Sequence, residues 1–227
     1  MCKKSVIILL IVILGSMYHP CSAQDVKLEK IEWTDIWVMD ANEMANARVL
    51  LVGDSIVKGY YGPVEKHLSE KASCARYATS LFLSNPDYLA ELGLLLKRYD
   101  FDVIHINNGL HGWDYTEEAY RLGLTALLEM MKRDAPEAKL IWCMTTPVRN
   151  SKELSQFDAA QNNRVIERNR IAAEIMEAAG IPVNDLYETV KDHPEYFAGD
   201  GVHYNGDGQT AQAKQVAERI EKALADR

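Results

Sequence analysis

From residue 47 onward, short apolar runs alternate with longer segments of helical periodicity, and this alternation decides the fold class. The run 48–52 (RVLLV), ended by Gly53, is apolar after its first residue, as a parallel strand covered on both faces must be. The runs 103–107 (VIHIN) and 139–144 (KLIWCM) repeat the pattern, 74–77 is a weaker version, and 181–183 is a short last strand. Between them, 63–71, 86–98, 117–133, 161–179 and 208–225 read as helices. Leu89, Leu92 and Leu96 share one helical face, and Gly180 suits the left-handed turn that ends a helix. The rhythm predicts a parallel sheet with helices on both faces, whose working residues gather at the carboxyl ends of the strands.

The start of the chain differs in kind. Lys3 and Lys4 precede an apolar run at 6–14, and Cys21-Ser22-Ala23 offers small residues for cleavage. Residues 1–23 are therefore expected to be an export signal, with Gln24 as the mature start and an exported (periplasmic or extracellular) location. The run falls short of the ~20 residues a spanning helix needs, so a retained anchor, or acylation at Cys21, is the lesser alternative. Residues 24–46 carry Trp33 and Trp37 and are expected to fold back on the domain at 47–227. Loss of the signal removes two lysines and no acids, taking the formal charge from −8 to −10. That charge argues against nucleic acid and anionic membrane surfaces as partners. Cys74 and Cys143 remain, able to pair in an oxidising compartment or to sit as two apolar thiols, the state favoured by their place in buried strands.

Two motifs concentrate the chemistry. Gly53-Asp54-Ser55 places a hydroxyl in the turn after the first strand, where the Ser55 amide can also face a developing oxyanion. Alone, it reads more simply as a helix cap. Val57 occupies the last glycine position of the Gly-x-Ser-x-Gly elbow, which argues against an ordinary α/β-hydrolase. Asp200-Gly201-Val202-His203 lies just before the last helix. Its spacing lets the carboxylate reach Nδ1 of the imidazole while Nε2 points away, as a general base requires.

Together, Gly-Asp-Ser at the front and Asp-x-x-His at the back resemble the SGNH (GDSL-like) hydrolases, over nearly all of 47–227. The resemblance implies a three-layer α/β/α sandwich with a flavodoxin-like, five-stranded parallel sheet. It also implies a catalytic triad of Ser55, Asp200 and His203, and no cofactor. Asn108-Gly109-Leu110-His111-Gly112 falls where the family carries Gly-x-Asn-Asp, so Gly109 matches the glycine and His111 stands in for the oxyanion-hole Asn. An imidazole N–H can still donate there, and Asn108 is the rival donor. The family's second-block glycine is replaced within 76–80 (RYATS), leaving the backbone of Ser80, or its rival Thr79, to complete the hole with the Ser55 amide.

Other readings compete for the same residues. His105, His111, His203 and Asp200 would make a metal site if they converged, but no His-Glu-x-x-His or paired-cysteine spacing supports one. Asp54, Gly109, Trp113 and Arg149 are candidate substrate contacts. Trp113 would stack on a sugar, against the more frequent fate of packing, and Arg149 would bind an anionic group, against a surface salt bridge.

The expected function is hydrolysis of carboxylic esters, O-acetyl groups on carbohydrate foremost, so the expected partner is a small-molecule or polysaccharide ester. The alternatives are a lipase- or thioesterase-like hydrolase and a catalytically weak glycan-binding module.

Overall fold

The structure is a computed structural model, and it describes residues 26–43 and 45–226. The expected export signal, with Cys2 and Cys21, lies outside the described residues. Among the described residues no helix is long and apolar enough to cross a membrane.

Five parallel strands form the centre: β2 (Ala47–Gly53), β3 (Ala72–Thr79), β4 (Val103–Ile106), β5 (Lys139–Cys143) and β8 (Val183–Asn184). A sixth strand, β1 (Thr34–Val38), closes one edge antiparallel to β3, giving the order β1-β3-β2-β4-β5-β8. The five parallel strands keep the flavodoxin-like order implied by the family resemblance. Val49 to Val52 of β2 and Val103 and Ile104 of β4 have no exposed surface. Alternate residues of these strands enter two cores. Val49, Leu51 and Val103 pack under α1 (Ser55–Leu68) and α6 (Gly206–Ala225). Leu50, Val52 and Ile104 pack under α2 (Pro86–Arg98), α3 (Glu117–Asp134) and α4 (Ala159–Ala179).

Several elements depart from the sequence expectation. α1 starts at Ser55 instead of Pro63, and the proline lies inside it. Proline favours the first turn of a helix and disfavours its interior. Here Ile56, Val57, Tyr60, Tyr61, Val64 and Leu68 are all buried along one face, and that burial outweighs the proline. β1 had no signal because its sequence (TDIWV) carries an acid and leaves Ile36 and Trp37 exposed at the sheet edge. A small hairpin, β6 (Arg149–Asn150) with β7 (Glu153–Phe157), and a short helix α5 (Leu186–Val190) complete the chain.

Cys74 and Cys143 are free and buried. Burial raises both thiols, Cys74 to about 12 and Cys143 well above the ordinary thiol range. A thiol needs its thiolate form to react. At pH 8 a disulfide-exchange reagent is therefore expected to leave both unmodified in native protein spanning residues 24–227 and to titrate two thiols in denaturant. Reaction of either thiol in the native state would contradict this burial.

Candidate active site

Ser55 is the first residue of α1, which is separated from the carboxyl end of β2 by Asp54 alone. Asp54 caps the helix by accepting from the Ile56 N–H at 2.8 Å. Gly53 is required for the tight transition, because a Cβ there would lie 2.3 Å from Cγ2 of Val57. Val57, at the position an α/β-hydrolase fills with glycine, thus folds back over the turn. The Ser55 N–H, at a helix start, has no carbonyl one turn behind it and points outward with the positive end of the helix.

His203 reaches this turn from the other end of the chain. Its Nε2 lies 2.8 Å from Ser55 Oγ, and its Nδ1 lies 2.6 Å from Asp200 Oδ2. The second carboxylate oxygen of Asp200 accepts the backbone N–H groups of Val202 and His203, both at 2.9 Å. Burial raises the Asp200 carboxyl, but its hydrogen bonds with the His203 ring and with those two amides outweigh it, and the net shift is downward. The carboxylate is thereby kept ionised beside the imidazole. Gly201 gives the turn its shape with φ of +77°, and a Cβ there would sit 2.2 Å from the Arg149 carbonyl. The Arg149 N–H also donates to Gly201 O at 2.7 Å, pinning the turn to β6.

His111 stands on the loop after β4. Its Nδ1 lies 3.0 Å from Glu29 Oε2, and the Gly112 N–H donates to Glu29 Oε1 at 3.2 Å. Burial lowers the imidazole's affinity for a proton, but the Glu29 hydrogen bond and the charges of Asp54, Glu29 and Glu32 outweigh it, so its pKa is raised. The loop itself hangs on Arg168 of α4, whose side chain is almost fully buried. The guanidinium donates to the carbonyls of Gly109 (2.7 Å), His111 (2.8 Å) and Gly112 (3.0 Å). Two asparagines of the same helix hold the loop after β5. Asn169 accepts from Thr145 N–H and donates to Thr145 O, while Asn162 accepts from Val148 N–H. Glu29, Glu32, Arg168, Asn162 and Asn169 escaped the sequence reading. The one available signal was the seven-residue spacing of Asn162 and Asn169, which repeats a polar side chain along one face of a helix that also carries Val165, Ile171, Ala172 and Met176.

Several expected contacts are corrected. The Ser80 amide donates to Trp33 O at 3.0 Å and its hydroxyl to Glu32 at 2.6 Å, so the segment just ahead of β1 has taken the donor that the oxyanion hole was expected to use. Thr79 is fully buried within β3 opposite Thr34, with its hydroxyl donating to Trp33 O. Asn108 is a buried strut, donating to Leu81 O at 2.9 Å. Asp54 is a buried cap instead of a substrate contact. Gly109 serves close packing, since a Cβ there would lie 2.0 Å from Thr145 Oγ1. Trp113 is engaged by the guanidinium groups of Arg168 and Arg164, 4.8 and 5.6 Å from its ring centre, which is packing. Arg149 is neither an anion site nor a surface ion pair. It is buried between Phe157 and Phe197 and donates to the carbonyls of Leu154 and Lys191.

The histidines do not converge. His105 is fully buried beside Asn184, and burial holds its pKa down to about 3. Among the described residues no group of three or more His, Cys, Asp or Glu could hold a metal ion.

Residues 51–211 match the model of the GDSL-like lipase/acylhydrolase family. The chain belongs to that family. As an acylhydrolase it is a carboxylic ester hydrolase. Solved structures share the fold at low identity. The aryl esterase of M. smegmatis is 14% identical with a TM-score of 0.66, over 78% of this chain and 99% of that one. A carbohydrate acetylesterase from Sinorhizobium meliloti is 11% identical with a TM-score of 0.64, over 78% and 99%. A carbohydrate esterase family 3 protein from Talaromyces cellulolyticus is 14% identical with a TM-score of 0.63, over 80% and 99%. No curated protein matches the sequence.

Arg168→Met would keep much of the side-chain volume and leave three loop carbonyls without their donor. Each buried polar group stripped of its partner costs about 1–3 kcal/mol. The variant is expected to lose several kcal/mol of stability, read as a lower urea midpoint, while Arg170→Met on the exposed face of α4 changes little. Equal midpoints for the two variants would show that Arg168 does not hold the loop.

Proposed function

We propose that this chain is an exported serine esterase that removes acyl groups, acetyl foremost, from carbohydrate esters. The observation that carries the catalytic part is His203 lying between Ser55 Oγ (2.8 Å) and Asp200 Oδ2 (2.6 Å). In this reading His203 takes the Ser55 proton as Oγ bonds the ester carbonyl carbon, and Asp200 orients the ring and stabilises the imidazolium. The carbonyl electron pair moves onto oxygen, where the Ser55 N–H and His111 donate to it. His203 then passes its proton to the departing alcohol oxygen, leaving an acyl-serine. Water, deprotonated by His203, attacks the acyl carbon, the bond from that carbon to Oγ breaks to release the carboxylic acid, and His203 returns the proton to Ser55 Oγ. Every proton is accounted for by His203, so no cofactor is needed.

Acetyl transfer from carbohydrate is supported by the shared fold of the two carbohydrate esterases, and by a hydroxyl–imidazole pair that lies at the surface instead of in a deep acyl tunnel. Export rests on the basic and apolar pattern of residues 1–23.

The deciding experiment is hydrolysis of 4-nitrophenyl acetate, butyrate and octanoate, and of acetylated xylan, by residues 24–227. Turnover is expected to favour acetate and to vanish in Ser55→Ala. His111→Ala is expected to fold normally and lose about 10²–10³ in rate, the usual contribution of an oxyanion donor. Turnover that survives Ser55→Ala would reject the serine mechanism. Preference for octanoate would move the substrate from carbohydrate acetates to lipids. Binding of acetylated glycan without turnover by either protein would make the chain a glycan-binding module.

A further inference from the structure

The segment from Glu29 to Trp33, just ahead of β1, does more than cover a sheet edge. Glu29 grips the loop after β4 with both carboxylate oxygens, one on His111 Nδ1 and one on the Gly112 N–H. Glu32 grips the loop after β3 through the Ser80 hydroxyl at 2.6 Å, and Trp33 O accepts the Ser80 N–H. The two acids are also tied to each other, the Glu29 N–H donating to Glu32 Oε1 at 2.6 Å. One short strap thus spans the two loops from which an oxyanion site would be assembled, and it occupies Ser80, which the site was expected to use.

The contact at His111 has a chemical consequence. A neutral imidazole carries one N–H. Facing a carboxylate, that hydrogen resides on Nδ1, and Nε2 is then an acceptor, useless to an oxyanion. Only the imidazolium offers an N–H at both nitrogens. Nε2 of His111 has no hydrogen-bond partner among the described residues, and it is not sealed in the interior. We propose that Glu29 is a positioning residue that holds His111 as an imidazolium, so that its Nε2–H donates to the oxyanion formed at Ser55. The inference rests on the serine-esterase reading above and adds to it a residue from outside the matched family region, which begins at residue 51.

The surroundings of His111 support the charged form. Glu29 and Glu32 face it from the strap and Asp54 from the turn before α1, and all three favour the proton. Arg168 from α4 meets the backbone carbonyl of His111, not the ring. Asp114 acts on Glu29, raising it, and is itself paired with Lys27. Burial also raises Glu29, yet its bonds to His111 and Gly112 win and its pKa is lowered, so it stays a carboxylate. The sign of the linkage is then fixed. A raised histidine keeps its proton, and the donor it supplies, until the pH climbs through that raised value.

The test reads pH dependence, which a purely structural contact would not set. kcat/KM for 4-nitrophenyl acetate is measured from pH 5 to 10, and the His111 ring is titrated by NMR, assigned by its loss in His111→Asn. Wild-type activity should fall on the alkaline side at the midpoint of the His111 titration. Glu29→Gln should lower that NMR midpoint by about one unit or more, the usual influence of an adjacent opposite charge. His111→Asn, whose amide donates without titrating, should remain active and lose the alkaline limb. An unmoved His111 titration in folded Glu29→Gln overturns the proposal, as does a limb that persists at the wild-type midpoint in His111→Asn. The second variant decides the matter if Glu29→Gln does not fold. Turnover that survives Ser55→Ala would instead mark failure of the serine-esterase reading, and the NMR titration would still show whether Glu29 controls His111.

Discussion

The hydrogen bond between Ser55 Oγ and His203 Nε2 joins residues 148 positions apart, and nothing local in the chain brings them together. It exists because two loops leave the same edge of one parallel sheet. Ser55 is delivered by β2, a central strand with no exposed side-chain surface from Val49 to Val52. His203 is delivered by the segment that enters α6, and α6 packs along α1, the helix that Ser55 itself begins. The contact is therefore a readout of how well those two helices lie on the sheet. The Asp200 turn adds a second restraint, because Gly201 is pressed against the Arg149 backbone at a distance that admits no side chain.

The loops around this bond are held by polar side chains reaching up from α4. Arg168, Asn162 and Asn169 together satisfy backbone groups of residues 109, 111, 112, 145 and 148. Loops at a sheet edge have backbone groups that no ladder satisfies, and burying them unpaired is costly. A single buried guanidinium with donors in a fixed fork meets three carbonyls at once, which a lysine ammonium could not do in the same plane. This explains why a helix facing the core carries so many polar residues on its inner side.

Much of this was legible from residue order alone. The strand at 48–52 and the helix at 86–98 announce themselves by apolar run and by period, and the Gly-Asp-Ser and Asp-x-x-His motifs fell where strand ends and the last helix place them. What stayed hidden was set by partners distant in sequence. β1 forms because β3 offers an open edge, not because TDIWV favours a strand. Ser80 looked free until Trp33 arrived to accept its N–H. Arg149 looked like a surface cation because nothing in its neighbourhood of the sequence predicts Phe197 above it. Pro63 read as a helix start by its usual preference, and only the buried face from Ile56 to Leu68 shows the helix running through it.

The two ends of the domain lie at opposite rims of the sheet. Glu29 touches the loop beside the carboxyl ends of the strands, whereas the last turn of α6, at Leu224 and Ala225, borders Ala47, where β2 begins. Attachment chemistry inherits this polarity. A tag or solid support joined ahead of residue 26 would crowd the loop that carries His111 and would pull on the strap. The same group joined after residue 226 would sit at the opposite rim, so surface capture through the C-terminal end is the orientation that leaves the loops at the carboxyl ends of the strands free.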